Sequence, residues 1–309
     1  RTITSKLKQF QLDCSQVFSI DDVDTEFLSE LTHWFVDQGL KHNTIHDYMG
    51  SLRFCMKIAY KENFTKNRIY KAKGFVPPRQ DIDEIYLTKE QIDELYSFDL
   101  SDRAKIIAEV GKLKMNEAEL FFYERRLRPK HRNIYEQARD LFVVGCLTGQ
   151  RFSDYSRISS GMIMESKGIS FIRLTQNKTL KTVLIPVDKR VKAILDKYNG
   201  KLPKMSMRHL NTLTRYIAEL LGWTWEPTFD NNRLGYKRGV RFCDMISSHT
   251  CRRSFATNAY AAGVPLQSIL VITGHSREER LRTYLRLDRQ EKGIIAANAF
   301  EKLVEIKKA

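Results

Sequence analysis

The stretch SSHTCRRSFATN, residues 247–258, presents a histidine and two arginines just ahead of apolar residues that recur at helical spacing. Ser248 fits the N-cap of this helix, which would put His249 and Arg252 three residues apart in the first turn. The unpaired N–H groups and positive dipole end of a helix start would add to these side chains. The stretch therefore predicts an anion site suited to a phosphate, although a solvated cap with surface arginines explains it equally well.

The charge of the chain favours a polyanionic partner. Lysine and arginine together number 52 against 37 acidic residues in 309, and the formal net charge is +15. Nucleic acid is the first partner that such an excess predicts, and an acidic membrane surface is the second. The sequence shows no signal-peptide pattern and no apolar run near the ~18 residues of a membrane span, so we expect a soluble intracellular protein.

The cysteines predict neither disulfide bonds nor a zinc finger. They are odd in number and form no CxxC pair: Cys14, Cys55, Cys146, Cys243 and Cys251. The sequence also contains no carboxylate cluster and no P-loop, so no metal or nucleotide cofactor is predicted. The chain starts at Arg1 rather than at methionine, which suggests that residues upstream have been removed.

The first part of the chain carries two amphipathic helical patterns. One helix is predicted to open at Asp24 and to stop at Gly39. A second is predicted from Thr44, with apolar residues that alternate at spacings of four and three: Ile45, Met49, Leu52, Met56 and Ala59. Together they predict a small helical domain.

This domain has a strongly basic stretch. Residues 41–80 include nine basic residues against two acidic ones, which favours a DNA-contacting face over a merely solvated one. The predicted DNA contacts here are Lys41, Arg53, Lys57 and Lys61. The segment GFVPPRQ, residues 74–80, then has the glycine and proline content of an interdomain linker.

The second part of the chain reads as a mixture of helices and short strands. Thr88 and Gln91 predict a capping box, and a buried helix is predicted to end near Gly149, with Arg151 and Asp154 just beyond it. Residues 169–187 predict two strands around a polar tip that bears Lys178 and Lys181. Further predictions are a long charged helical stretch before residue 139 with a solvated basic cluster at 124–132, a helix near 205–222, and a loop or hairpin at 228–241.

The last motif completes the set of residues that could do chemistry on a phosphate. PLQSILVITGHSREERLRTYLRL, residues 265–287, contains an apolar helix, a Thr273-Gly274 break, His275, and Tyr284 nine residues later. With these residues in place, the chain resembles the tyrosine recombinases, the phage-integrase family. TGQRFSD, SSHTCRRSFATNAYAAGVPLQSI and the TGH-to-tyrosine spacing carry the resemblance, which covers nearly the whole chain. The sequences of these motifs most closely resemble those of integrases and transposases of Bacteroides conjugative and mobilisable elements. Those proteins usually have a further N-terminal arm-binding domain.

The resemblance implies a fold and a domain plan. The fold would be mainly α with a small β-sheet, built from a helical core-binding domain and a mixed α/β catalytic domain that form a clamp around DNA. Residues 1–78 would be the SAM-like core-DNA-binding domain, 79–83 the linker, and 84–309 the catalytic domain with a C-terminal tail helix. The protein would be cytoplasmic and associated with the nucleoid of a bacterium.

The resemblance also assigns roles to six residues. It implies Tyr284 as the nucleophile that forms a 3′-phosphotyrosine, two phosphate clamps, two histidine partners and a hairpin lysine as leaving-group acid: Arg151, Arg252, His249, His275 and Lys178. Two guanidinium groups can grip nonbridging phosphate oxygens bidentately, and a tyrosine of ordinary pKa ~10 needs a base such as His249. Because the phosphotyrosine bond retains its energy, neither metal nor ATP is expected. Lys181 and Arg253 are added as predicted DNA contacts.

The implied partners are duplex DNA at recombination sites, further copies of the chain and an optional host DNA-bending protein. Four protomers would assemble on two sites, joined by the tail at 291–309 docking on a neighbour rather than in cis. Two other interpretations stay open. The chain could be a DNA-binding protein without catalysis, such as a degenerate recombinase or a helix-turn-helix regulator. A relaxing topoisomerase would share the nucleophile chemistry.

Overall fold

The computed structural model describes residues 2–80, 84–101, 133–227, 239–275 and 277–282, with the isolated residues 285, 293 and 297. These residues form two compact units, one made of residues 2–80 and the other beginning at residue 84. The architecture is mainly helical with one small antiparallel sheet, which confirms the predicted fold class. No helix in the described ranges is both long and apolar enough to cross a membrane.

The first unit is built on three helices: α1 (Ile3–Asp13), α2 (Thr25–Asp37) and α3 (His42–Lys61). Asp24 caps α2 as predicted, because its carboxylate accepts a hydrogen bond from the backbone N–H of Phe27. Helix α3 begins at His42, two residues before the predicted start, and its predicted apolar face is buried. Helix α1 was not predicted; its Phe10 packs edge-on against Phe27, with ring centroids 5.8 Å apart.

The helices of the second unit surround one buried helix. Their bounds are α4 (Lys89–Ser97), α5 (Ile134–Thr148), α6 (Phe152–Tyr155), α7 (Lys189–Lys197), α8 (Met207–Leu220), α9 (Phe242–Met245), α10 (Ser248–Ala261), α11 (Leu266–Thr273) and α12 (Glu278–Arg282). Helix α5 is the central one, since α4, α7, α8 and α10 all pack against it and its Leu141, Phe142 and Val144 are fully buried. The predicted capping box of Thr88 and Gln91 opens α4.

The sheet has three antiparallel strands in the order β1 (Ile163–Ser166), β2 (Ile169–Thr175) and β3 (Thr182–Pro186). Ile172 and Leu174 of β2 pair with Ile185 and Val183 of β3, and all four side chains are buried on one face. This confirms the predicted hairpin with its tip at residues 176–181. Strand β1 was not predicted, because its short edge sequence is mostly exposed and shows no apolar alternation.

Several predictions fall outside the described residues. These are Tyr284, most of the tail at 291–309, the basic cluster at 124–132, and residues 228–238 of the predicted loop. The predicted helix near 205–222 is present as α8.

Candidate active site

Helix α10 carries His249 and Arg252 in its first turns, but it starts differently from the prediction. Its N-cap is Ser247, whose backbone N–H donates to Thr250 Oγ1 at 3.0 Å. Ser248, the predicted cap, is already helical, and its N–H donates to Asn211 Oδ1 at 2.7 Å. The predicted cap was therefore one residue late because adjacent serines look alike in sequence.

Arg252 joins two loops that lie far apart in the chain. The residue is 1% exposed. Its Nη1 donates to the carbonyl of Gly149 at 3.0 Å, and its Nη2 lies 3.0 Å from His275 Nε2. The loop after α5 and the loop after α11 therefore meet at this guanidinium. In this way the structure brings Arg252 and His275 together and sets the Arg151 segment beside them.

Gly149 allows α10 to approach the end of α5 this closely. It closes α5 in the left-handed region, at φ 66°, where glycine is favoured. A Cβ built on Gly149 would lie 2.4 Å from Phe255 Cδ1, and one on Gly145 would lie 2.9 Å from Cys251 Sγ. No larger residue fits between the two helices without displacing α10 and its Arg252.

We expect Gly149→Ala to destabilise the protein strongly. A left-handed backbone costs a non-glycine residue ~1–2 kcal/mol, and the contact with Phe255 adds an overpacking cost of ~1–3 kcal/mol. Gly263→Ala is the matched control, since Gly263 has φ 81° with nothing within 4 Å of its added Cβ. Denaturant unfolding should show a larger loss for Gly149→Ala, and equal losses in the two variants would contradict the steric account.

Arg151 offers a buried hydrogen-bond donor two residues after Gly149, whose carbonyl accepts from Arg252. It precedes α6, and the side chain is partly buried. Its Nη1 is buried and has no hydrogen-bond partner among the described residues. Leaving such a donor unpaired costs ~1–3 kcal/mol, which an anion bound at this point would remove. Together with Arg252, it supplies the donors that a phosphate requires.

His275 is oriented by Thr273. The Thr273 hydroxyl donates to the carbonyl of Ile269 at 2.6 Å, so it accepts from His275 Nδ1–H at 2.8 Å. This tautomer leaves His275 Nε2 as the acceptor for Arg252, because a guanidinium only donates. Contact between Nε2 and a phosphate oxygen would therefore require a proton on Nε2.

His249 has the electrostatics of a base. Partial desolvation of the imidazole, followed by the positive charge of Arg253, lowers the pKa of His249 below its ordinary value. The charges of Arg252 and Arg151 lower it further, while Glu84 opposes them. Although the imidazole is partly desolvated, His249 as a whole residue is exposed to solvent. A lowered pKa keeps the ring neutral at neutral pH, the state in which it can accept a proton.

Lys178 lies exposed in the turn between β2 and β3, and Asp154 secures that turn. The buried Asp154 Oδ1 accepts the backbone N–H of Asn177 at 2.8 Å, and Asn177 Nδ2 donates to the carbonyl of Ser153 at 3.0 Å. Residues 153 and 154 belong to α6, directly after Arg151. The turn of the lysine is thus fixed to the segment that carries the arginine.

Two protein-family profiles match the sequence of this chain. The profile described as Phage integrase family matches residues 123–291, which is more than half of the chain. This chain belongs to the phage integrase family. The profile described as Phage integrase SAM-like domain matches residues 1–76 of the same chain. The tyrosine recombinases of this family are enzymes that cleave and rejoin DNA at specific sites, and the chain is one of them.

Solved structures share the recombinase fold. The Tn1549 transposon integrase with circular intermediate DNA has a TM-score of 0.63 at 14% identity, covering 97% of this chain and 91% of that one. The XerH recombinase bound to its difH substrate has a TM-score of 0.55 at 15% identity, covering 94% of this chain and 76% of that one. A lambda integrase dimer bound to a COC′ core site has a TM-score of 0.55 at 17% identity, covering 93% of this chain and 87% of that one. These identities show the fold alone.

The same comparisons leave the narrower resemblance unsupported. No curated protein matches the sequence significantly. The structural relatives do not support the predicted closeness to integrases of Bacteroides elements.

The predicted DNA contacts of the recombinase occupy two kinds of environment. Lys41, Arg53, Lys57, Lys61 and Lys181 are exposed. Arg53, Lys57 and Lys71 line a shallow depression of about 310 Å³ on the first unit, where Arg53 Nε donates to the carbonyl of Tyr70 at 2.8 Å. Among the described residues, no group of three or more histidine, cysteine or acidic side chains could hold a metal ion.

Arg253 differs from the other predicted contacts because it is buried. It is 6% exposed, its Nη2 pairs with Glu84 Oε1 at 2.7 Å, and its Nη1 donates to the carbonyl of Ile85 at 3.2 Å. The next residue, Ser254, accepts the N–H of Leu87 at 2.8 Å. Arg253 therefore anchors the first residues of the second unit along α10, and we leave it out of the proposed DNA interface.

Proposed function

We propose that this recombinase cleaves DNA by attack of the Tyr284 oxygen on a phosphodiester, with His249 accepting the tyrosine proton. The bond from phosphorus to the 5′ oxygen breaks, and Lys178 protonates that oxygen as it leaves. The products are a 3′-phosphotyrosine and a free 5′ hydroxyl. Attack by another 5′ hydroxyl reverses the step and reseals the strand, so the number of phosphoester bonds is conserved.

The observation that supports this proposal most directly is the donor cluster around Arg252. The buried Nη1 of Arg151 has no partner in the described structure, and the Arg252–His275 pair lies at the loop that precedes it. Three positively charged or protonatable groups gathered from separate segments suit the nonbridging oxygens of a phosphate, where charge develops during attack.

DNA contacts by the exposed lysines and arginine would supply most of the affinity. Lys41, Arg53, Lys57 and Lys61 on the first unit, and Lys181 on the hairpin, are proposed to contact phosphates. Both units would then contribute phosphate contacts to binding of the duplex. The neighbouring transposon integrase suggests a mobile element as the biological setting, in the cytoplasm of a bacterium.

The test is the detection of a covalent protein–DNA adduct. Duplexes that the protein retains from a random library would be nicked at successive positions, so that cleavage beside the nick releases a short fragment and traps the enzyme. A denaturing gel should then show protein attached to DNA at one or two nick positions. Specific binding without an adduct at any position would contradict the proposed chemistry.

Assembly through the C-terminal tail gives a separate prediction. Residues 291–309 carry an apolar face at helical spacing that would dock on a neighbouring protomer of a tetramer: Ile294, Ile295, Ala297, Phe300 and Leu303. Deleting residues 291–309 should spare binding to a single site and abolish the pairing of two sites in a native gel. A host DNA-bending protein is an optional accessory of this complex.

A shorter deletion provides the control for the tail. Removing residues 304–309 leaves the apolar face intact and should keep the pairing of sites. If the protein without residues 291–309 pairs two sites as well as the full chain, the tail packs in cis and trans docking is wrong.

A further inference from the structure

Two buried glutamines connect the separate loops of the active site. Gln150, directly before Arg151, and Gln176, two residues before Lys178, are both 0% exposed. Gln150 lies inside the TGQRFSD motif but received no role there, and Gln176 lies in none of the motifs of the sequence analysis. Their position between the proposed catalytic groups gives them a role that rests on the proposed function.

The hydrogen bonds of the two amides account for every N–H they possess. Gln176 Nε2 donates to Gln150 Oε1 at 2.7 Å and to the carbonyl of Thr273 at 2.8 Å, while its Oε1 accepts from Thr179 Oγ1 at 2.7 Å. Gln150 Nε2 donates to the carbonyls of Thr148 at 3.0 Å and Ile272 at 2.8 Å. A buried polar pair that is fully satisfied specifies one arrangement of the segments it joins.

The Gln176 amide lies tightly against the loop of His275. Gly274 has φ 70°, and a Cβ built on it would lie 2.3 Å from Gln176 Oε1. The amide therefore occupies the space that any side chain at position 274 would need. The two residues before His275 are thus held against Gln176, Thr273 by a hydrogen bond and Gly274 by close packing.

The main chain of Gln176 closes the turn that carries Lys178. Its N–H donates to the carbonyl of Lys181 at 2.9 Å, and its carbonyl accepts from the N–H of Leu180 at 2.9 Å. The backbone of Gln176 therefore fixes the turn, while its side chain fixes that turn to the loops before Arg151 and His275.

We propose that Gln176, braced by Gln150, is a positioning residue that sets Lys178 against the phosphate-binding loops. In this way Gln176 holds Lys178, which protonates the leaving oxygen, at a fixed distance from the loops that bind the phosphate. Two apolar side chains of similar volume would fill this space equally well, but they would not orient the turn. The amides are therefore needed for orientation and not for packing alone.

Gln176→Met tests this role, because it keeps the length of the side chain and removes its hydrogen bonds. Single-turnover adduct formation would be measured on an ordinary duplex and on one whose bridging 5′ oxygen is sulfur, a leaving group that needs no proton. General acid catalysis is worth ~10²–10⁴-fold, so misplacing Lys178 should slow cleavage of the oxygen substrate by ~10-fold or more. Cleavage of the sulfur substrate should stay near the wild-type rate, and DNA affinity should be unchanged.

Thr182→Ala is the matched control on the same hairpin. It removes an exposed cross-strand contact, Thr175 Oγ1 to Thr182 Oγ1 at 2.9 Å, and should leave both rates near wild type. If Gln176→Met does not fold by circular dichroism, Thr179→Val removes only the donor to Gln176 Oε1 and should show a smaller defect of the same kind.

The outcomes separate the inference from the proposed function. Equal slowing on both substrates would mean that the pair supports the whole site, and no slowing on either would mean that it positions nothing; both overturn the inference. If the wild-type protein forms no adduct with either substrate, the proposed function itself is wrong.

Discussion

A Tyr284→Phe variant should form no covalent adduct with DNA and should bind the same DNA nearly as tightly as the wild-type protein. The substitution removes the attacking oxygen and leaves in place the phosphate contacts that dominate affinity. The adduct is measured on denaturing gels with nicked duplexes, and affinity by titration at fixed salt. Tyr284 lies outside the described residues, so this assignment depends on its spacing of nine residues after His275.

Tyr260→Phe is a suitable control for the loss of a tyrosine hydroxyl. Tyr260 is a partly exposed residue of α10, the helix that carries His249 and Arg252. Its loss should leave adduct formation near the wild-type level. An adduct that persists in Tyr284→Phe would place the nucleophile at another residue, and loss of the adduct in both variants would point to general damage to the domain.

The elements with strong periodicity were predictable from sequence. The apolar face of α3 and the alternation of β2 and β3 match the buried residues that the structure shows. Helix α1 and strand β1 were missed for a physical reason. Both have few buried side chains, Ile3, Lys6 and Phe10 in the case of α1, so the apolar pattern is too weak to detect.

The composition of the site was more predictable than its geometry. Motif spacing supplied Arg151, Arg252 and His275 in order, but only the fold shows that one guanidinium joins two loops. Arg252 and Arg253 look equivalent in sequence because they are consecutive, but the structure gives them different surroundings. Neighbours on a helix point about 100° apart, so Arg252 faces the loops while Arg253 faces Glu84.

Residues that orient others left no trace in the sequence patterns. Asp154 was noted only for its distance from Arg151, and the structure shows its carboxylate holding the turn of Lys178 through Asn177. The side chain of Gln176 joins that same turn to the carbonyl of Thr273. Such contacts join residues about 20 to 100 positions apart, and local spacing does not encode pairs at that separation.

Lys178→Ala should slow cleavage of an ordinary duplex by ~10²–10⁴-fold while leaving DNA binding nearly intact, because it removes the proposed leaving-group acid. Lys181→Ala is the natural comparison on the same hairpin. Lys178 lies within the turn, whereas the carbonyl of Lys181 pairs with the N–H of Gln176 where the hairpin closes. Because Lys181 is proposed as a phosphate contact and not as the acid, its loss should affect affinity more than rate.

A slower rate alone would not identify the acid, because any displacement of the hairpin could slow cleavage too. The sulfur-bridged substrate removes this ambiguity, since its leaving group needs no proton. Lys178→Ala should recover cleavage on that substrate, while Tyr284→Phe should stay inactive because the nucleophile is required whatever the leaving group. If sulfur instead rescues Lys181→Ala, the acid lies three residues further along the turn. Gln176 would then position Lys181 and not Lys178, since its main-chain N–H donates directly to the carbonyl of Lys181.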